Sequence, residues 1–299
     1  MAAVTPELKR WQVWLLASRP KTLWAAISPV IIGGALAVDA NHLHLLSWIA
    51  AAVGALLIQI GTNLANDLFD YERATDTEER LGPMRVTQAG LVTPQQMRVA
   101  TALAFGLALL VGIYLVYRGG WPIVAIGLLS ILFGILYTAG PYPLGYNGLG
   151  DIFVLIFFGP IAVGGTYYVM TLDINLTVVL AGIPPGLLAI AILVVNNLRD
   201  IDSDRKGGKR TLAVRFGLTF TRVQYLAMLI LSLLFTPLYY LVTGTHLYAL
   251  LALLAAVPAV DPIRKVFTSR DGEELNNVLA ATGKVLFIYA ITFSVGWLL

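Results

Sequence analysis

Nine stretches of mostly apolar residues follow one another between residues 22 and 298, at 22–38, 46–66, 96–117, 121–139, 150–170, 177–197, 221–243, 246–263 and 277–298. A helix needs roughly 20 such residues to cross a bilayer. The sequence therefore predicts an all-α integral membrane protein with nine transmembrane helices. Its composition agrees: 58% of the residues are hydrophobic and 12% charged, against about 25% charged in soluble domains. Pro29, Pro160, Pro184, Pro185 and Pro237 fall inside the segments, which membrane helices tolerate when neighbours satisfy the freed carbonyls. Residues 7–17 mix charge with Trp11, Trp14 and Leu15, as in a short helix lying in the membrane interface. No cleavable leader is expected, because the first apolar run is long and lacks a small-residue cleavage pattern.

The positive charges orient this chain. With the N-terminus in the cytoplasm, 18 of the 20 Lys and Arg fall on the inner side, Arg118 falls outside, and Lys284 lies within the last segment. That asymmetry follows the positive-inside rule and puts the C-terminus outside. It also accounts for the net charge of +3 without a nucleic-acid partner. The three histidines, His42, His44 and His246, fall in outer loops, and there are no cysteines. Thiolate chemistry, disulfides and thiolate metal sites are thus excluded.

Two polar patches interrupt the apolar pattern. In NLANDLFDYERATD, residues 63–76, Asn63, Asn66, Asp67 and Asp70 stand at i, i+3, i+4 and i+7, one face of a helix. In NNLRDIDSD, residues 196–204, Asn196, Asp200 and Asp204 stand at i, i+4 and i+8, again a single helical face. Both patches end apolar segments on the inner side. Oxygen ligands without nitrogen or sulfur select a hard cation, and sparse carboxylates suit magnesium bridged to phosphate. Asp67, Asp70 and Asp76 at the end of the second apolar segment, with Asp200, Asp202 and Asp204 at the end of the sixth, are the candidate metal ligands. Solvated loop charge is the plain alternative, but polar residues are costly in a membrane and point to function.

Basic residues stand beside the carboxylates, as a diphosphate requires. Arg80 and Arg85 follow the first patch, Lys209 and Arg210 the second, and Arg19 and Lys21 precede the first apolar segment. Lys21, Arg85 and Lys209 are the preferred phosphate-binding candidates. Lys284 either snorkels to the interface or faces the interior. Between the fourth and fifth segments, YTAGPYPLGYNGLGD (137–151) holds several glycines and three tyrosines without Lys or Arg. Such a loop could line an apolar pocket for an aromatic substrate, with Tyr137 or Asp151 polarising it. The two patches also occupy comparable places in two groups of four segments. A single domain, 1–299, is expected, with helices 1–4 and 5–8 as a pseudo-repeat and helix 9 left over.

These motifs together resemble the UbiA superfamily of intramembrane aromatic prenyltransferases. SRPKTL (18–23), NLANDLFD (63–70), GPMRVTQAG (82–90), the 137–151 loop and NNLRDIDSDRKGGKRTLAVRFG (196–217) are similar to its 1,4-dihydroxy-2-naphthoate prenyltransferase branch. The superfamily's common NDxxDxxxD puts a third Asp at position 74, which is Ala74 here; Asp76 takes its place, a spacing shared by the naphthoate branch.

The resemblance implies helices around a central cavity open to the cytoplasmic leaflet of the cell's inner (plasma) membrane. Asp67, Asp70, Asp200 and Asp204 would hold Mg2+ and a polyprenyl or phytyl diphosphate, supported by Asn63, Asn66, Asn196, Lys21, Arg85 and Lys209. The allylic carbon released from its diphosphate would be attacked by 1,4-dihydroxy-2-naphthoate at the carbon bearing the carboxylate, with loss of carbon dioxide. Tyr137 would stabilise the allylic cation through its face. The same machinery acting on 4-hydroxybenzoate or homogentisate is the nearest alternative. A magnesium-dependent carrier is the alternative outside enzymes, but it predicts carboxylates deep in the helices and on both membrane faces. The compact DG-containing signature of CDP-alcohol phosphotransferases is absent.

Overall fold

The computed structural model describes residues 8–73, 82 and 84–299. Among them, every regular element is helical. Helix α1 (Arg10–Ser18) buries Val13 and Ala17 while Trp11 stays 61% exposed, so its aromatic side faces away from the bundle. Arg19, with φ of 51°, turns the chain, and Pro20 at the first helical position opens α2 (Pro20–Asp39); proline's fixed φ suits that place. Next come α3 (Leu45–Glu72), α4 (Pro94–Gly119) and α5 (Trp121–Leu136). A reciprocal capping box between Thr93 and Gln96 starts α4 and satisfies two otherwise orphaned donors.

The second half contains broken crossings. Helix α6 (Gly150–Phe158) meets α7 (Pro160–Thr171) at Gly159, and α8 (Leu176–Ala181) meets α9 (Ile183–Arg199) at Gly182. The two breaks lie against each other: a Cβ on Gly182 would fall 2.6 Å from the Cα and N of Pro160. Only glycine lets the backbones come this close. Helix α10 (Ile201–Lys206) leads to α11 (Leu212–Thr243), which bends at Gly217, where φ is 80°. A 3-10 stretch, Leu247–Ala255, continues into α12 (Ala256–Thr268), and α13 (Gly272–Leu298) closes the chain.

Eight crossings among the described residues are long and apolar enough to span a membrane. The remaining predicted segment, 121–139, is the 16-residue α5, because the chain leaves the helix after Leu136 and reverses at Gly140, where φ is 81°. At 1.5 Å per residue it reaches about 24 Å, short of a hydrocarbon core of about 30 Å. The predicted segment at 221–243 also starts earlier, at Leu212.

Helices α2, α9 and α13 are the most enclosed. Helix α13 packs along α2 and α9, while α3 packs on α4 and α11 on α9. Buried hydroxyl pairs, Tyr225 with Thr282 at 2.8 Å and Tyr289 with Thr236 at 3.2 Å, tie α11 to α13. Helices α2 and α13 run parallel. The carbonyl of Lys21 lies beside Gly283 at one end, and at the other Trp297 donates its indole N–H to Asp39 at 3.1 Å.

Candidate active site

One face of α3 changes character along its length. Ala51, Ala55 and Ile58 give way to Gln59 and Thr62, then to Asn66 and Asp70, and all seven line a single cavity of about 670 Å³. From Ala51 to Asp70 this face extends roughly 28 Å at 1.5 Å per residue. Leu110 and Ile113 of α4 and Leu128 of α5 also line the cavity, and each is more than half exposed. The apolar end is thus walled partly by well-exposed leucine and isoleucine side chains, and the polar end gathers the charged groups.

At the polar end the four residues of the first patch hold four different segments. Asn63 donates to the carbonyl of Ser18 at 2.9 Å and to Thr22 Oγ1 at 3.1 Å, fixing the corner between α1 and α2. Asn66 accepts from Thr138 at 2.8 Å, holding the segment after α5. Asp67 accepts the backbone N–H groups of Val86 and Thr87, one on each oxygen, at 3.2 and 3.3 Å. Val86, with no exposed surface, sits in a small core with Val13, Ala17, Leu64, Leu68 and Met97. That plug and the Asp67 carboxylate fix the turn that carries Arg85.

Asp70 faces the cavity. It is 1% exposed and accepts from both the Arg85 guanidinium and the Tyr146 hydroxyl. Lys209 Nζ lies 3.8 Å from Asp70 and 3.3 Å from Asp204, joining the two patches across the cavity. Its ammonium also stands 4.8 Å from the centre of the Tyr146 ring, a cation–π distance. Tyr146 is brought here by loop pairing: the Arg210 N–H donates to its carbonyl at 2.6 Å, and Arg215 donates to the carbonyl of Asn147 at 2.9 Å.

The second patch is organised by Arg199, whose side chain is fully buried. It donates to both oxygens of Asp200, at 2.8 and 2.6 Å, to Asn196 at 2.9 Å and to Asn276 of α13 at 2.6 Å. Bidentate arginine–carboxylate pairs are strong and directional. Asp204, 8% exposed, lines the cavity with Asp200 and Asn196.

Several candidates lie elsewhere. Lys21 is exposed and absent from the cavity wall, whereas Thr22, Ala25 and Ala26 of the same helix line it together with Arg19; a residue is 100° of helical rotation from its neighbour. Asp151 bonds Gln224 of α11 and does not line the cavity. Tyr137 does line it, its ring set over Gly145, where a Cβ would come within 2.6 Å. Lys284 is exposed on α13 and does not face the cavity. Asp76 and Arg80 lie outside the described residues. Arg19 is named by the sequence pattern only as one of the basic residues before the first apolar segment, Arg199 reads there as positive-inside charge, and Tyr146 is one of three tyrosines in its loop.

Among the described residues no three carboxylates or histidines converge closely enough to enclose a metal by themselves. The donors at the polar end are carboxylates and amides, with Asp70, Asp200 and Asp204 on the cavity wall. That set fits an ion that keeps waters and takes its remaining ligands from phosphate, which is how magnesium is usually bound.

A profile of the UbiA prenyltransferase family matches residues 26–295. The chain is 38% identical over 296 residues to the 1,4-dihydroxy-2-naphthoate octaprenyltransferase of Escherichia coli K12, covering 97% of this chain and 96% of the relative. It is 36% identical to the Mycobacterium tuberculosis protein of the same name, covering 93% and 94%. Among solved structures, a UbiA homolog from Aeropyrum pernix K1 superimposes with a TM-score of 0.68 at 16% identity, over 90% of this chain and 96% of that one. A UbiA homolog from Archaeoglobus fulgidus bound to GPP and Mg2+ does so with 0.65 at 14% identity, over 96% and 100%.

Proposed function

The chain belongs to the UbiA prenyltransferase family, and we propose on that footing that it transfers a polyprenyl group from its diphosphate to 1,4-dihydroxy-2-naphthoate, with loss of carbon dioxide, in menaquinone biosynthesis. The observation that carries this reading is the graded cavity. Its acidic and basic end suits a metal-bound diphosphate, and its apolar end suits an isoprenoid tail.

In this reading Asp70, Asp200 and Asp204 hold Mg2+, with Asn66 and Asn196 beside them, and Arg85 and Lys209 meet the diphosphate oxygens. When bound, the metal neutralises charge developing on the leaving diphosphate. The buried guanidinium of Arg85 and the ammonium of Lys209 add fixed positive charge at the same place, where a water-poor site makes it effective. The allylic C–O bond breaks with its electron pair going to the diphosphate. The naphthoate ring forms the new C–C bond, and loss of its carboxylate as carbon dioxide restores aromaticity. Tyr137, on the same cavity wall, offers its ring face to the allylic cation. Arg199 and Asp67 touch neither substrate; they orient Asp200 and the Arg85 turn.

The protein is a multi-pass membrane protein. We further place it in the plasma membrane as one domain of nine spans, α5 included, with the N-terminus and carboxylate end in the cytoplasm. The distribution of Lys and Arg supports that orientation.

The test is an acceptor panel. Purified protein is given one polyprenyl diphosphate with magnesium and either 1,4-dihydroxy-2-naphthoate, 4-hydroxybenzoate or homogentisate. Prenylated, decarboxylated product from the naphthoate alone is the expected result. Turnover confined to the benzoate or homogentisate overturns the assignment.

A further inference from the structure

Two lysines that the reaction does not use stand together on the outside of the bundle. Lys21 of α2 and Lys284 of α13 are both exposed. Among the described residues neither makes an ion pair or hydrogen bond. Their backbones are adjacent, because Gly283 packs on Lys21: a Cβ there would lie 3.0 Å from the Lys21 carbonyl and 3.2 Å from the Trp24 ring. Three residues beyond each lysine comes an aromatic residue. Trp24 and Phe287 meet across the same helix crossing, ring centres 4.5 Å apart, and Trp24 remains 36% exposed. The crossing thus brings two exposed lysines and two aromatic rings into one neighbourhood.

Its depth follows from the helices. Helices α2 and α13 run side by side from Lys21 with Gly283 to Asp39 with Trp297. At 1.5 Å per residue the distance from Lys21 to Asp39 is about 27 Å, close to the thickness of a hydrocarbon core. Lys21 and Lys284 therefore sit at one bilayer surface. It is the surface nearest the carboxylates, since Arg19, two residues before Lys21, lines the polar end of the cavity. The part of α13 before Lys284 projects beyond this plane, where Asn276 reaches Arg199. Lysine stems reach headgroup level from such a position, and tryptophan favours the interfacial layer.

We propose that the α2–α13 crossing seats the phosphate of an anionic phospholipid in the leaflet next to the active site. The lysines neutralise the phosphate as point charges, and Trp24 and Phe287 carry its glycerol and first methylenes. Charge complementarity selects an anionic lipid: with no carboxylate paired to either lysine among the described residues, the groove is a bare cationic site at a surface where anionic headgroups concentrate.

Lipid binding, not turnover, is the readout, so this proposal stands or falls apart from the enzymatic assignment. Full-length protein is placed in phosphatidylcholine nanodiscs, and phosphatidylglycerol is titrated while retained lipid is counted by native mass spectrometry. A Lys21→Gln/Lys284→Gln double variant is expected to bind phosphatidylglycerol about thirtyfold more weakly, from about 1 kcal/mol per surface lysine at 1.4 kcal/mol per tenfold. The Lys21→Arg/Lys284→Arg variant is expected to retain binding, which separates lost charge from a damaged fold. Inorganic phosphate is expected not to compete. Undiminished binding by the Gln pair overturns the proposal. So does loss of binding in the Arg pair, equal loss in an Arg264→Gln/Lys265→Gln control, or displacement by free phosphate.

Discussion

Arg199 grips both oxygens of Asp200 through Nε and Nη2, at 2.8 and 2.6 Å, with neither side chain more than 5% exposed. Removing one member of a buried pair leaves the other charge uncompensated, a loss of about 3–5 kcal/mol. Arg199→Met is therefore expected to lower the melting temperature markedly. Arg199→Lys keeps the charge but cannot reproduce the two-pronged contact; it should fold and lose at least about tenfold in turnover. Thermal unfolding and initial rates in the same membrane mimic check both.

Asp67 and Asp70 are expected to fail in different ways. Asp70 lines the cavity and Asp67 holds the backbone of Val86 and Thr87. Asp70→Asn should abolish turnover at any magnesium concentration tried. Asp67→Asn can accept only one of the two N–H groups, which loosens the Arg85 turn by about 1.5–3 kcal/mol. Its rate should fall tenfold or more, while the magnesium concentration for half-maximal rate stays at the wild-type value. A raised magnesium requirement in Asp67→Asn would make that residue a ligand.

The sequence could not separate these two aspartates. Positions i+4 and i+7 share a helical face, and the periodicity that revealed the patch treats its members alike. What divides them is the turn at residues 85–90, seated by Val86 in a core built partly from α1, which no local pattern encodes. The same holds elsewhere. Asp151 finds Gln224, 73 residues away, and Lys21 is turned outward by its helical phase after the left-handed corner at Arg19. The helical architecture, both carboxylate patches and their encounter at one cavity were readable, because polar residues at the end of an apolar helix have few stable destinations. Arg199 stayed hidden for the opposite reason: on the side rich in basic residues, one arginine looks like any other.

Tyr146→Phe is expected to cost about 1 kcal/mol of transition-state stabilisation, near fivefold in rate. It removes the hydroxyl on Asp70 and keeps the ring beside Lys209. Tyr146→Ala, which removes both, should be worse. Steady-state kinetics with the naphthoate acceptor distinguishes the two.

Gly182→Ala is expected to destabilise the fold by about 1–3 kcal/mol, since its methyl meets backbone atoms of Pro160 that have no rotamer to change. Gly106→Ala on α4, whose Cβ would meet nothing within 4 Å, should be neutral or slightly stabilising. Recovery of folded protein on size exclusion, followed by thermal melts, compares them.

Helix α5 has a consequence for the bilayer itself. A 16-residue helix beside neighbours of 26 and 28 residues creates hydrophobic mismatch, which lipids relieve by thinning locally. The dimple would form beside Leu110, Ile113 and Leu128 of the cavity wall. Initial rates in liposomes of graded acyl-chain length are therefore expected to be higher in thin bilayers than in thick ones.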